Sequence, residues 1–304
     1  MFQQMKTKGI LMNRLCPICK DGAVHCYVDS GDRSEWRVYG DSYRLVQCDE
    51  CETVHTNPLP EQAPLERLYK NDYNYRWFQD HLDAKTRDAG IRFDEYSRNL
   101  GKRVLDFGGG LGYFSSVARS HGKESMTYDP YVRNDTVAST LWDSVVALHV
   151  LEHSNDPEQL LISINELLKP GGTMILAVPN FLSDGYKTLG MSWVWAQPPL
   201  VHIFHFTEKG LKKLVKACGF DVVDVSYHER WDANLESDLR QYERFRRLDR
   251  GWGRCPVRYI RSYQKYIAAR NSRFRFEVLK SALDRYDRSY AGYAELQIVA
   301  KKKG

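Results

Sequence analysis

Three groups of residues in this 304-residue chain have the types and spacing that chemistry requires. The first is Cys16-Pro17-Ile18-Cys19 with Cys48-Asp49-Glu50-Cys51. Each CxxC turn can bring two thiolates to one ion, and two such turns supply a closed tetrahedral zinc site with no position left for a reacting water. A redox role suits them less, because neither pair opens a helix after a buried strand. A ribbon without metal is the other reading. The second group is the run Val104-Leu105-Asp106-Phe107-Gly108-Gly109-Gly110-Leu111-Gly112-Tyr113-Phe114, followed by Met126-Thr127-Tyr128-Asp129. Glycines let a backbone turn sharply and lie close to a ligand. Asp129 closes a second short apolar run, where an acid can accept hydrogen bonds from a ribose diol. The third group is histidine: His153, His202 and His205. Imidazole is the side chain whose ordinary pKa suits proton transfer near neutral pH.

A glycine turn alone serves dinucleotide enzymes as well, and it also occurs with no ligand at all. Two features favour S-adenosylmethionine over NAD. Asp106 stands before the first glycine, where a carboxylate can hold the turn and face a methionine amino group. The helix start also lacks the compact arrangement that cradles a pyrophosphate.

These groups need elements to hold them. Apolar residues before Gly108 predict a strand, and a helical pattern opens at Tyr113. Ser144 to His149 reads as a buried strand, followed by Val150-Leu151-Glu152-His153. Asp156-Pro157 then starts a helix, with Asp as N-cap and Pro at the first position. Lys169-Pro170-Gly171-Gly172 ends that helix, and Thr173 to Val178 forms the next strand, closed by Pro179-Asn180. Such alternation implies a parallel sheet with ligands at its carboxyl edge. Thr207 is expected to cap the helix that follows His202 and His205. That helix ends at Cys218-Gly219-Phe220, and Asp221 to Val225 begins the sixth strand. The last strand, Ala294 to Ala300, comes only after about 60 residues. Residues 80 to 100, with apolar Leu82, Ile91, Phe93, Tyr96 and Leu100, read as a helix leading into the first core strand. In the ribbon, Val24 to Tyr27 and Tyr43 to Gln47 read as strands. Lys301-Lys302-Lys303 is expected to be a frayed end.

Composition narrows the class. The hydrophobic fraction is 42% and mean hydropathy −0.54, and no apolar run reaches the ~20 residues of a membrane helix. Lys6 and Lys8 precede only Gly9 to Met12, too short for a signal-peptide core, and Met12 is a candidate natural start. Seven cysteines, four of them paired near the N-terminus, fit a reducing, cytoplasmic setting and not a disulfide scaffold. The net charge of +5 is unevenly spread: His228 to Tyr293 holds 14 Arg and 2 Lys against 9 acidic residues. This stretch reads as two helices broken at Gly251-Trp252-Gly253. It either packs or dimerises as a solvated hairpin, or it grips an anion through arginine forks.

The runs VLDFGGGLGYF, TYDP, ALHVLEHSNDP, LLKPGGTMILAVPN and VHIFHFTEKGLKKLVKACGFDVV occur in that order. In them, over about residues 101 to 227, the chain resembles class I S-adenosylmethionine-dependent methyltransferases. The likeness is greatest to the ubiquinone-biosynthesis-like branch used on small molecules and sugars. CPIC and CDEC, followed by TNPLP and LYKNDYNY, also resemble bacterial methyltransferases that carry a zinc ribbon. The resemblance implies that Asp106, Gly108, Gly109, Gly110 and Gly112 form the cofactor loop, with Asp129 and Pro130 at the ribose. It places His149 and Val150 where the chain passes the methionine moiety. Only 13 residues separate Asp129 from Asp143, so the third strand and its adenine-contacting acid are reduced or replaced. His202 falls on the histidine of a related sugar-methyltransferase pattern and ranks first as general base, with His205 second. Packing or acceptor orientation is the competing role. Glu152 and His153 are as well suited to tying down their loop. Trp193 and Trp195 either cover the acceptor side or pack.

The expected architecture is a Rossmann-like seven-stranded α/β sandwich with an N-terminal zinc ribbon and a helical insertion before the last strand. The expected divisions are a ribbon over 1–60, an aromatic-rich linker over 61–100 and a cofactor-binding core over 101–227. A basic insertion over 228–292 and the last strand over 293–304 follow. The expected reaction is methyl transfer from S-adenosylmethionine to a small, anionic acceptor, such as a nucleotide-linked sugar, alongside structural zinc. An RNA methyltransferase that grips the backbone with ribbon and arginines is the alternative, and a non-catalytic binding protein a third. The oligomeric state stays open.

Overall fold

The computed structural model describes residues 11–27, 36–38, 41–72, 79–80, 82–131, 141–183, 186, 195, 200–228 and 294–304. The N-terminal strands are β1 (Leu11–Leu15), β2 (Ala23–Cys26), β3 (Trp36–Val38), β4 (Asp41–Cys48) and β5 (Val54–Asn57). They form an antiparallel sheet in the order β1-β2-β4-β5, with β3 paired to β4. The cysteine turns lie at one end of this sheet, before β2 and after β4. Helix α1 (Gln62–Arg67) and one wide turn (Leu68–Asp72) lead towards helix α2 (Leu82–Tyr96). Leu82 and Ile91 of α2 face solvent, and the buried face is Ala89, Arg92, Phe93 and Tyr96. A charged residue on a buried face is a departure from the apolar pattern read in the sequence.

The core alternates as expected. Strand β6 (Arg103–Phe107) runs into helix α3 (Tyr113–Ser120), then strand β7 (Glu124–Tyr128) and strand β8 (Trp142–Leu148). Val145, Val146 and Ala147 are buried on both faces, as a strand in the middle of a covered parallel sheet must be. Helix α4 (Pro157–Leu167) starts where Asp156 accepts a hydrogen bond from the Gln159 N–H at 3.0 Å. Strand β9 (Leu168–Pro179) follows at once, so Pro170 and the glycines lie within the strand and not in a separate loop.

Beyond β9 come strand β10 (Phe204–His205), helix α5 (Glu208–Ala217), strand β11 (Phe220–His228) and strand β12 (Glu295–Lys302). The core sheet has the order β11-β12-β9-β8-β6-β7. The pairs β6–β7, β6–β8 and β8–β9 are parallel, whereas β12 is antiparallel to both β9 and β11. This is a Rossmann-like mixed sheet with six strands among the described residues. The expected third strand and the arginine-rich insertion lie outside the described residues.

Two boundaries differ from the sequence reading for the same reason. Strand β11 continues to His228, and β12 includes Lys301 and Lys302. The lysine run is therefore not a frayed end. β12 is paired on both sides, and Lys302 Nζ donates to the carbonyls of Asn165 and Leu168 at 2.8 and 2.9 Å. Strand β10 belongs to neither the core sheet nor a free loop. It pairs with β5, with Phe204 opposite His55 and His205 opposite Val54, and so completes the N-terminal sheet with residues from the core.

Candidate active site

The glycine turn lies at the carboxyl ends of β6 and β7. Gly108, Gly110 and Gly112 have φ of +69°, +54° and +80°, which L side chains rarely adopt. Gly109 is required for a different reason: a Cβ there would stand 2.2 Å from Asp106 Oδ2. Asp106 is thus pressed against the loop, and its Oδ2 also accepts the Ser115 N–H at 3.3 Å. Burial pushes the Asp106 carboxyl up to about 7, with the charge of Asp129 adding to the effect and the Ser115 hydrogen bond opposing it. Asp129 holds the other side of the loop. Its Oδ2 accepts the Gly110 N–H and its Oδ1 the Tyr131 N–H, each at 2.9 Å. Pro130 sits exposed in the turn that follows. Tyr131 stacks on Tyr69 at 4.5 Å between ring centroids, which brings the aromatic linker to this edge.

The end of β8 meets the same loop. The Val150 side chain lies 2.5 Å from where a Cβ on Gly108 would stand. His149 has φ of +55° and both ring nitrogens on carboxylates: Nδ1 to Glu152 Oε1 at 3.2 Å and Nε2 to Glu295 Oε2 at 2.8 Å. Burial alone would lower this imidazole, but the hydrogen bonds to Glu152 and Glu295 outweigh it and push His149 up to about 9. A ring with both nitrogens donating is an imidazolium, not a base. The Trp195 ring stacks on it at 5.2 Å, and Arg92 of α2 forms a buried ion pair with Glu295 at 2.7 Å.

Behind this pair lies a second cluster. Glu152 is buried, and its Oε2 has no hydrogen-bond partner. His153 Nδ1 is bonded to the Val201 carbonyl, and His202 Nδ1 to the Trp195 carbonyl at 2.8 Å. Each backbone bond fixes a tautomer with the proton on Nδ1, leaving the Nε2 lone pairs available. One ligand atom each from Glu152, His153 and His202 lies within 4.8 Å of the others. Burial holds His202 well below its ordinary value, and the neighbouring His153 and His205 act in the same direction. His202 is therefore neutral at pH 7. His205 is buried with no partner on Nε2, and burial pushes it down to about 3. Its ring packs against Phe181 at 4.9 Å. A neutral imidazole beside an unpartnered carboxylate oxygen can accept a proton from a hydroxyl, and the same three atoms can share a divalent cation.

The four cysteines converge as their spacing implies. Cys16 Sγ is 3.7 Å from Cys51 Sγ, and Cys19 Sγ is 3.6 Å from Cys48 Sγ. All four are buried free thiols. Each turn closes with a backbone bond onto its first cysteine, from Lys20 to Cys16 and from Glu52 to Cys48, both at 3.0 Å. Lys20 and Glu52 take positive φ to make these bonds. The N–H groups of Ile18, Glu50 and Cys51 point at sulfur, each at 3.4 Å. A Cβ on Gly22 would stand 2.2 Å from Cys48 Sγ, so the cradle is filled to the backbone. Burial pushes the Cys48 thiol up to about 11, and the hydrogen bond with Cys51 together with burial raises Cys16. The hydrogen bond from Cys16 lowers Cys51 to about 5, so the Cys16–Cys51 pair holds its charge on one sulfur. All four sulfurs carry charge together only if a cation shares it, and the donor set fits a structural zinc ion.

The structure thus gathers Asp106, the glycines, Asp129 and Val150 at one loop and His149 at its flank. It places His202 and His205 one layer further, on the segment that joins the ribbon sheet. Trp193 lies outside the described residues. Sequence reasoning missed Arg92 and Glu295. Arg92 and Glu295 are far apart in the chain, so only their meeting across the fold reveals them.

A family model described as a methyltransferase domain matches residues 78–225. The ubiquinone biosynthesis O-methyltransferase of Cereibacter sphaeroides is 31% identical, in an alignment that covers 47% of this chain and 71% of that one. The enzyme of the same name from Escherichia coli is 27% identical over 38% of this chain and 58% of its own. Among solved structures, a SAM-dependent methyltransferase from Archaeoglobus fulgidus aligns over 74% of this chain and 99% of that one. Its identity is 20% and its TM-score 0.44. The chain belongs to the class I S-adenosylmethionine-dependent methyltransferases. No helix among the described residues is long and apolar enough to cross a membrane.

Proposed function

We propose that this enzyme methylates a hydroxyl oxygen of a small-molecule acceptor, with His202 taking the proton. Bound S-adenosylmethionine supplies an electrophilic methyl group, so rate depends chiefly on holding the acceptor in line. The residues of this chain divide that work. Asp106 and the glycine turn receive the methionine and phosphate-free nucleoside portions, and Asp129 the ribose. Val150 and His149 border the methyl end, and Trp195 screens it from water. The observation that carries the reading is the place of His202: its Nδ1 is held by the Trp195 carbonyl and its ring lies beside Glu152 and His153, behind the loop that touches Gly108. The relatives named as O-methyltransferases support oxygen as the acceptor atom. An anionic group on the acceptor is in keeping with the arginine-rich stretch after His228.

The convergence of Glu152, His153 and His202 favours one second reading, in which a divalent cation at these atoms lowers the acceptor pKa and His202 is a ligand. The Cys16, Cys19, Cys48 and Cys51 cluster takes structural zinc in either case. The deciding experiment gives labelled S-adenosylmethionine to host extract and separates small-molecule, RNA and protein pools. Label is expected in the small-molecule pool, and His202→Gln should remove most of it. Label in RNA would overturn the small-molecule reading. Activity that returns with added Mg2+ after mild chelation, with ribbon zinc still bound, would make His202 a ligand.

A further inference from the structure

The acceptor-side histidines are held from behind by the cysteine knuckle. Thr207 is fully buried, and its hydroxyl has two partners. Oγ1 donates to the Cys51 carbonyl at 2.6 Å and accepts the Gly210 N–H at 3.1 Å. One side chain therefore caps α5 and fastens that cap to the second CxxC turn. Between these points the backbone is continuous with the site. β10 pairs with β5, the Thr56 N–H donates to the Ile203 carbonyl at 2.8 Å, and the Ile203 N–H donates to the Glu152 carbonyl at 2.7 Å. The outer face is clamped as well: Lys209 and Lys213 of α5 pair with Glu50, which lies between Cys48 and Cys51. Close packing leaves little slack, since a Cβ on Gly210 would stand 2.1 Å from Thr53 Oγ1.

A ribbon that served only to bind a partner would need no such path. We propose that Thr207 is a positioning residue through which the zinc-loaded knuckle fixes the segment bearing His202 and His205 against Glu152. Metal occupancy then sets the acceptor side of the site, while the cofactor loop, held by Asp106, Asp129 and Val150, is independent of it. The inference rests on the reading that the His202 cluster faces the acceptor.

The test compares full-length, zinc-loaded wild type with Thr207→Ser, Thr207→Val and Thr207→Asp. Thr207→Val loses both hydrogen bonds of the hydroxyl, and loss of the one to Cys51 should make it release zinc to a chelating dye about five-fold faster. Amides of residues 200–206 and 151–153 should exchange faster in that variant. Thr207→Ser should match wild type, and S-adenosylmethionine affinity should be the same in all. Thr207→Asp keeps an acceptor for Gly210 but cannot donate to Cys51. It should release zinc like Thr207→Val while α5 stays protected. Change confined to α5, or unchanged zinc release in Thr207→Val and Thr207→Asp, would reduce Thr207 to a helix cap and overturn the proposal. If Thr207→Val does not fold, removal of zinc from the wild type carries the test. Residues 200–206 must then lose protection while cofactor affinity holds, and retained protection overturns the coupling. The catalytic reading fails separately: full transfer by His202→Gln, with zinc removal still loosening 200–206, leaves the coupling and removes the base.

Discussion

Two acids of the cofactor loop behave differently because their surroundings differ. Asp129 has backbone N–H partners on both oxygens and holds the turn open at its tip. Asp129→Ala should weaken S-adenosylmethionine binding by ~1–3 kcal/mol, the scale of a polar group left unpaired. Calorimetry with the cofactor checks this, and unchanged affinity would remove Asp129 from the site. Asp106 is pressed under Gly109, and burial pushes its carboxyl up to about 7. The cofactor's ammonium group favours the ionised form, so binding near neutral pH should release a proton. Affinity should be higher at pH 8 than at pH 6, and the binding heat should depend on the buffer's ionisation enthalpy. Asp106→Asn should abolish that buffer dependence. Among the histidines the same logic separates roles: His149 is hydrogen-bonded to two carboxylates and stays charged, whereas His202 and His205 make no hydrogen bond to a carboxylate and burial keeps them neutral.

At the scale of elements, β12 does more than close the sheet. Its first residue, Glu295, meets Arg92 from α2 and His149 from the end of β8. Arg92 also reaches Asp88 one turn earlier at 2.9 Å, so its charge is shared within α2 as well. Removing one member of a buried ion pair leaves its partners uncompensated. Glu295→Ala should cost about 3–5 kcal/mol of unfolding free energy, measured in urea. It should also lower the imidazole pKa of His149, which a histidine NMR titration reads directly. A loss below 1 kcal/mol would show that Asp88 and Glu152 suffice.

For the whole molecule, buried histidines give stability a pH dependence whose direction follows from the shifts. His205 is depressed to about 3 from an ordinary 6.5. Its contribution is full above 6.5 and is lost as pH falls from there towards about 3. His149 is raised to about 9, so its contribution is full below 6.5 and is lost as pH rises through about 9. Asp106, raised from 3.8 to about 7, likewise gives its full contribution below 3.8 and loses it as pH climbs towards 7. The effects overlap, so a single melt does not separate them. Comparison of wild type with His205→Gln does: between pH 7 and pH 5 the wild type should lose about 2 kcal/mol more than the variant, the cost of protonating one histidine in the unfolded chain only. Equal losses would mean that His205 takes its proton in the folded state.

Much of this protein was legible from local pattern. The glycine turn with Asp106 and Asp129, the two CxxC turns, the caps at Asp156 and Thr207, and the alternation of strands and helices all depend on neighbours in sequence. Short-range geometry dictates them, and five ordered motifs carried the family. What tertiary structure alone decided depends on partners far apart in the chain. Arg92 lies on a helix face that periodicity reads as apolar, and it is kept there by Glu295, 203 residues away. His149 looked like a cofactor contact, and its placement between two carboxylates makes it a fixed cation. Thr207 was read as a helix cap, yet its hydroxyl also reaches Cys51, 156 residues earlier, because β10 joins the ribbon sheet. Hydrophobic spacing fixes which face of an element turns inward. Which charges and hydroxyls meet there is settled only when the sheets close.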